Sequence, residues 1–402
     1  MSGCLHIAFV TPWYGPDIPG GAEAELRGLV ERLTQFQEDV VVEVLTTCVK
    51  EFASDWSANY HKPGSEVVKG VKVTRFPVRK RNTREFDKVN FKLMNSVAVS
   101  KVEEETFFRE MIRSPEMEEY ISAVNAINLY VYIPYMFGTT YWGIRACPER
   151  SVLIPCLHDE AYAYMSLVQE MFSKVKGVAF LAQPEMDFAY TIYTMSQAKM
   201  KVLGGGVDTN YLGSPDNFRY KYGLDCPLVL YAGRKDKGKN VDGLLRGYSL
   251  FKQRYSADNS RLVLIGGGDI KIPPELKNHV VDLGFVSQED KYNAYAAASV
   301  LCQPSMNESF SIVIMESWLA GTPVIVNGRC AVTKDFCVAS NGGLYYDNDY
   351  EFSEALWWIL HHKEARGKLG AQGRKFVLDH FSWNVVLKRY IEFFCTVSVG
   401  EG

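Results

Sequence analysis

No run in this sequence approaches the ~18 consecutive apolar residues that a membrane-spanning helix needs, and no pair of cysteines is spaced as CxxC. The nine cysteines are scattered, several inside apolar runs, which reads as reduced core thiols of a cytosolic protein rather than a disulfide framework or a zinc site. G-x-G-x-x-G is absent, which disfavours a nicotinamide or flavin site, and G-x-x-x-x-G-K-[ST] is absent, which excludes a P-loop. Excess positive charge is also missing: the net charge is -3, so no global basic field favours nucleic acid. There is no solenoid-period repeat and no low-complexity tract. The first residues lead into LHIAFVTPWY, a strand rather than a signal peptide.

What is present is enough apolar residue, 47% of 402, for two ordinary cores. Short apolar runs alternate with amphipathic stretches. HIAFV (6–10), VVVEVLTT (40–47), AINLYVYI (126–133), SVLIPCL (151–157) and GVAFLA (177–182) form one series. PLVLYAG (227–233), SRLVLIGGG (260–268), VVDLGFV (280–286), ASVLCQPS (298–305) and TPVIVNG (322–328) form a second. This rhythm predicts parallel sheets covered by helices on both faces. Three consecutive glycines and two prolines near 200–226 break it and suggest a linker. The expectation is an N-terminal domain over 1–203, a C-terminal domain over 204–380, and an amphipathic C-terminal segment, 381–402, that packs back on the first domain. Residues 79–120 fit neither rhythm and read as a helical elaboration. Its basic start, Arg79, Lys80, Arg81 and Arg84, suits an anionic acceptor or a membrane surface.

Ligands of doubly wound sheets bind at the carboxyl ends of the strands, so the loops there carry the candidate chemistry. TPWYGPDIPGGAEAE (11–25) brings Gly20 and Gly21 to a helix start, where backbone amides can approach an anion. CLHDEAYAY (156–164) places His158 after a strand. YAGRKDKGKNVDG (231–243) carries Arg234 and Lys239, types that suit a pyrophosphate. NESFSIVIMESWLAGTPVI (307–325) sets Glu308 at the mouth of a helix expected from about Phe310, with Ser309 and Ser311 as caps. Glu316 lies about two turns in, among Met315, Trp318 and Leu319, where a carboxylate calls for donors from a ligand. The acidic trio Asp347, Asn348 and Asp349 reads as a turn.

Together these stretches resemble the retaining glycosyltransferases of group 1, over nearly the whole chain and most strongly over 203–330. The spacing of Glu308 and Glu316 resembles the family's E-x7-E signature, YAGRKDKGKN its donor-phosphate loop, YGPDIPGGAEAE its N-terminal glycine loop, and VLGGGVDTNYL its passage between domains. The resemblance implies an α/β chain of GT-B architecture, two Rossmann-like doubly wound domains facing a central cleft. It implies transfer, with retained configuration, of a hexose from a nucleotide-sugar, a UDP-sugar with UDP-glucose or a near relative preferred. The acceptor would be a glycan or lipid-linked saccharide of polysaccharide biosynthesis. Gly20 and Gly21 would contact the donor phosphates or the reacting sugar, His158 the transferred sugar, and Arg234 and Lys239 the pyrophosphate. Glu308 would contact the sugar and act in transfer with His158. The backbone of Ser309, Phe310, Ser311 and Ile312 would meet the distal phosphate, Glu316 the ribose hydroxyls, and the main chain near Val286 the base. No metal and no cofactor is expected, because cations and helix starts can stabilise the leaving pyrophosphate. The expected location is cytoplasmic, at the inner membrane face if the basic cluster makes peripheral contact. Serines at 309 and 311 stand where the family has glycines, and Asn240 where glycine is common. Two alternatives stay open: a catalytically silent nucleotide- or glycan-binding partner subunit, and another GT-B-like enzyme of the phosphorylase or epimerase type.

Overall fold

A computed structural model describes residues 5–37, 39–195, 198–210 and 213–399. Chain contacts divide it into an N-terminal unit, which runs to Gly206 and takes back the last segment from Trp383, and a C-terminal unit, Val207–Ser382. Cys4 lies outside the described residues. Cys48, Cys147, Cys156, Cys302, Cys330 and Cys337 are buried.

The N-terminal unit has eight strands: β1 (Leu5–Val10), β2 (Val40–Thr47), β3 (Gly64–Val68), β4 (Val71–Phe76), β5 (Leu129–Tyr132), β6 (Ser151–Leu153), β7 (Gly177–Phe180) and β8 (Lys199–Val202). Their order is β3-β4-β2-β1-β5-β6-β7-β8, parallel throughout except that β3 runs antiparallel to β4. Sequence rhythm misses the β3–β4 hairpin and β8. The hairpin turns through Lys69 and Gly70, both at positive φ, and lies at the sheet edge, where solvent exposure blurs the apolar pattern. β8, KMKV, is the opposite edge and sits where the sequence reads as linker.

The final helix, Trp383–Ser398, packs against the helix Gly21–Phe36. Its Trp383 ring occupies space that two glycines leave open: a Cβ on Gly28 would lie 2.3 Å from the ring and one on Gly206 2.1 Å from it. On the same helix Glu25 is buried and accepts a 3.0 Å hydrogen bond from the Gly206 amide. Burial raises its pKa from the usual carboxylate range to about 8.

The C-terminal unit has six parallel strands: β9 (Leu228–Ala232), β10 (Arg261–Ile265), β11 (Val280–Gly284), β12 (Val300–Gln303), β13 (Val324–Asn327) and β14 (Gly343–Tyr346). Their order is β11-β10-β9-β12-β13-β14. The chain winds outward from β9, then crosses to β12 and winds the other way. The topological switch point therefore lies between β9 and β12, and the loops after those strands must diverge there.

Between β12 and β13 runs the helix Ile312–Leu319. It lies under the helix Lys363–His380, whose glycines permit close approach. A Cβ on Gly370 would sit 1.9 Å from the Gly321 carbonyl oxygen, and one on Gly373 2.2 Å from the Trp318 ring. Trp318 is fully buried and donates its indole N–H to the Gly342 carbonyl at 2.8 Å. Arg374 donates to the Leu319 carbonyl at 2.6 Å and so satisfies the helix end.

Two expectations follow. Gly373→Ala would gain up to ~1 kcal/mol from helix propensity alone, but overpacking against Trp318 reverses the sign, for a net loss of roughly 1–3 kcal/mol. A lower urea midpoint checks it, and an unchanged or higher midpoint contradicts the packing. The second concerns pH. Between the ordinary carboxylate pKa and about 8 the folded chain holds a proton on Glu25 that the unfolded chain has lost. This contribution is fully present below the ordinary pKa and is lost as pH rises toward 8. Glu25→Gln keeps the acceptor for Gly206 without the charge. It should flatten the decline in urea midpoint between pH 5 and pH 8, by on the order of 1 kcal/mol per pH unit crossed; parallel profiles would contradict the assignment.

Candidate active site

In the C-terminal unit the loop after β9 leaves through Gly233, at φ 152, into Arg234 and a short 3-10 turn, Lys237–Lys239. The loop after β12 runs through Pro304–Ser311 to the helix Ile312–Leu319. These neighbouring loops are joined by the Lys239 ammonium, 2.7 Å from a carboxylate oxygen of Glu308. The Gln303 amide donates to the same oxygen at 3.2 Å and to the Ser311 hydroxyl at 3.1 Å. Asn240 and Asn327 both donate to the Pro304 carbonyl, at 3.0 and 3.1 Å. Arg234 extends into solvent, 3.4 Å from Asp236.

Two helices begin at this switch point without side-chain caps. Six other helices with a serine or asparagine at the N-cap are capped by it: Asn82, Ser100, Ser114, Ser214, Ser287 and Asn348 all accept from backbone amides. Asn240, which starts the helix Val241–Arg254, and Ser311 do not. Both are in the left-handed region, at φ 52 and 65, and their side chains are committed to Pro304 and Gln303. Gly243 and Ile314 donate to the Asn240 and Ser311 carbonyls, at 3.0 and 3.1 Å, and no cap side chain takes the amides before them, the arrangement that receives an anion at a helix start.

This corrects the expected capping by Ser309 and Ser311. The helix begins at Ile312, because Phe310 is drawn into a buried cluster with Phe336 and Phe381, at ring separations of 5.7 and 5.2 Å. Phe310 can thus act only through its backbone. Glu316 becomes the fifth helical residue, little more than one turn in rather than two.

Glu316 is buried, but its donors come from the chain itself. Lys291 (2.6 Å) and Tyr292 (3.2 Å) donate to one oxygen, Tyr295 (3.0 Å) to the other. All three stand on the helix Gln288–Ala297, which follows β11 and the half-buried Val286. The four-residue step from 291 to 295 puts Lys291 and Tyr295 on one face of that helix, both toward Glu316. Sequence reading missed Lys291 and Tyr295, whose only signal is that spacing.

It also missed Lys235. Its buried ammonium reaches the carbonyls of Gly266 (2.5 Å) and Gly268 (3.2 Å) and the Asp282 carboxylate (2.9 Å). The ends of β9, β10 and β11 are thereby tied together. A cavity of about 780 Å³ beside Tyr345 and Tyr350 borders the outer strand β14, apart from the switch point.

In the N-terminal unit the switch point falls between β1 and β5. Thr11, Pro12, Trp13, Ala22, Glu23, Ile133 and Pro134 line a small cavity there. Gly20 starts the helix Gly21–Phe36 at φ 136, ψ 153, a conformation reserved to glycine. No atom lies within 4 Å of where a Gly21 Cβ would stand. Glu23 folds back over Gly20 and accepts the Trp13 indole N–H at 2.9 Å, so the positive helix end already faces a carboxylate. His158 is on a different loop, after β6. Its Nδ1 lies 3.8 Å from Glu160, which accepts the Tyr135 hydroxyl at 3.0 Å. Behind it the buried Glu185 accepts from the amides of Leu157 and Leu181, each at 2.6 Å, and so fixes the loop that carries His158. Burial lifts the Glu185 pKa to about 7, against those amides and the nearby His158.

Of the basic cluster, Arg79 and Arg81 turn inward. Arg79 bonds Glu110 and the Lys80 carbonyl, and Arg81 lies over Trp56 and Phe86. Asn348 of the acidic trio is the cap of the helix Asp349–His361.

Residues 216–376 match the family model described as Glycosyl transferases group 1. An uncharacterized glycosyltransferase of Methanocaldococcus jannaschii, MJ1607, is 27% identical over 217 residues, 50% of this chain and 55% of that protein. The chain thus spans about half the length of the curated relatives it matches. Among solved structures, sucrose-phosphate synthase from Thermosynechococcus elongatus aligns with a TM-score of 0.73 at 16% identity, over 98% of this chain and 99% of that one. HepE of Anabaena, in complex with UDP and glucose, aligns with a TM-score of 0.70 at 14% identity, over 98% and 100%. The fold is that of the GT-B glycosyltransferases, and residues 216–376, within the C-terminal unit, match the group 1 glycosyltransferase family.

Proposed function

We propose that this chain is a retaining hexosyltransferase that uses a UDP-sugar, UDP-glucose by preference, and an acceptor that is a glycan or lipid-linked saccharide, at a cytoplasmic location. The observation that carries this reading is the pair of uncapped helix starts, at Asn240 and Ser311, beside Lys239 at the switch point of the C-terminal sheet. Two sets of free amides and a lysine are suited to a pyrophosphate whose negative charge grows as the glycosidic bond breaks. Arg234 is exposed next to them and can close on the same anion. No metal or other cofactor is assigned a role. The complex of HepE with UDP and glucose supports the choice of donor.

Glu308 holds Lys239 in place beside the two helix starts. Glu308 is assigned to the transferred sugar, with His158, Gly20 and Gly21 as the other assigned contacts. Glu23 at the Gly20 helix start makes that position better suited to sugar hydroxyls than to a phosphate. Glu316 is assigned to the ribose, with the backbone near Val286 at the base. Its Oε1 already takes two donors and its Oε2 one. A diol that donates twice must therefore displace a resident donor. Lys291, flexible and about a third exposed, is the one free to move.

Glu316→Gln should weaken UDP binding about tenfold or more, since hydrogen bonds to a charged group contribute ~1.5–3 kcal/mol each. Glu308→Gln should leave UDP affinity nearly unchanged while turnover falls by orders of magnitude, because its contacts strengthen in the transition state. Titration with UDP and a turnover assay on both variants separate the roles; the reverse pattern would exchange the two glutamates, and no effect on either would remove the transferase reading. NMR of fresh product should show the donor's anomeric configuration kept. An inverted anomer would refute retention.

A further inference from the structure

Residues 79–120 fold into three helices, Thr83–Met94, Lys101–Glu110 and Pro115–Ala123. The first two pack on each other as a hairpin. Their cores are already supplied: Phe86, Val89 and Leu93 bury one face of the first helix, and Phe107 and Phe108 one face of the second. Four further large apolar side chains at the hairpin's turn take no part in that core. Phe91 is 70% exposed, Met94 70%, Val97 49% and Val102 71%. In the connection, residues 95–98 and Ser100 are exposed, with Val99 half-buried. Apolar residues exposed singly need no explanation, but four within twelve positions form a patch that asks for an apolar partner.

The charge around them selects that partner. Residues 79–102 hold seven basic and two acidic side chains, in a chain whose net charge is -3. Arg79 and Arg81 are turned inward, and Lys88 and Lys92 pair with Glu85 and Glu103. Arg84 and Lys101 are exposed on the same hairpin, as are Asp87 and Glu105, and Lys80 is exposed just before it. Protein interfaces are depleted in lysine, and a second copy would set like charge against like charge. Phe, Met and Val surrounded by Lys and Arg are instead the composition of an element that lies in a lipid interface, with apolar side chains among the acyl chains and cations among anionic headgroups. Among the described residues no helix is long and apolar enough to cross a membrane.

We propose that the turn of this hairpin, Phe91, Met94, Val97 and Val102 with Arg84 and Lys101, docks the chain on an anionic bilayer surface. The test is co-sedimentation with phosphatidylcholine vesicles and with vesicles in which about a third of that lipid is phosphatidylglycerol. The wild-type chain should pellet with the anionic vesicles at low salt and stay in solution with the neutral ones. Phe91→Ser/Met94→Ser/Val102→Ser should lose binding tenfold or more while its thermal midpoint stays unchanged. Arg84→Gln/Lys101→Gln, which leaves the apolar side chains in place, should lose binding severalfold and reduce its salt dependence. Wild-type protein that stays in solution with both vesicles overturns the proposal. So does triple-serine protein that binds as well as wild type, or a wild-type dimer in light scattering that the serines make monomeric. Should the serines unfold the chain, the glutamine pair decides: undiminished binding refutes the role of the charges. Vesicle binding is read without turnover, so its outcome is separate from that of the donor assignment.

Discussion

A carboxylate removed from water must be met by donors, and the C-terminal unit is arranged around two of them. Glu308 is met by Lys239 and Gln303, which draws the loop after β9 to the loop after β12. Those loops are neighbours only because the strand order reverses between β9 and β12. Glu316 is met by Lys291, Tyr292 and Tyr295, which fastens the helix after β11 to the helix after β12. Removing one partner from such a set leaves an uncompensated charge, which costs far more than the pair contributes. The two glutamates thus fix the geometry of the loops.

The helix Ile312–Leu319 connects these functions to the core. One face is sealed by Trp318 against the glycine-bearing helix Lys363–His380. Its start is left without a cap because Phe310 is anchored in an aromatic cluster and Ser311 takes a left-handed conformation. A helix start without a side-chain cap suits an anion, since its donors need no rearrangement when charge develops. Lys235 contributes similarly from below, with a buried ammonium that gathers the carbonyls at the ends of three strands.

Two buried carboxylates of the N-terminal unit are held differently. Glu25 and Glu185 are buried and accept backbone amides, and burial outweighs those hydrogen bonds and raises both pKa values, to about 8 and about 7. Each holds a loop or crossing in place. Glu185 steadies the loop of His158, and Glu25 grips Gly206 where the chain leaves the unit.

The sequence by itself determined the two α/β units and their strand-end loops. Burial on both faces of a parallel strand produces a continuous apolar run that any window detects. It also brought out Arg234, Lys239, Glu308 and Glu316, because charge beside such runs is conspicuous. Edge elements escaped it: β3 and β8 are partly solvated, so their apolar pattern is weak. Only the tertiary structure decided who meets whom. Lys291 reaches Glu316 across 25 residues, and Lys239 reaches Glu308 across 69. It also decided that Ser311 and Asn240 spend their side chains elsewhere, while six other residues of the same types cap their helices. Capping preference is local, worth about 1 kcal/mol. Burial of Phe310 contributes more, on the order of 2–3 kcal/mol. Where the two compete, long-range packing sets the backbone, and no local pattern records the result.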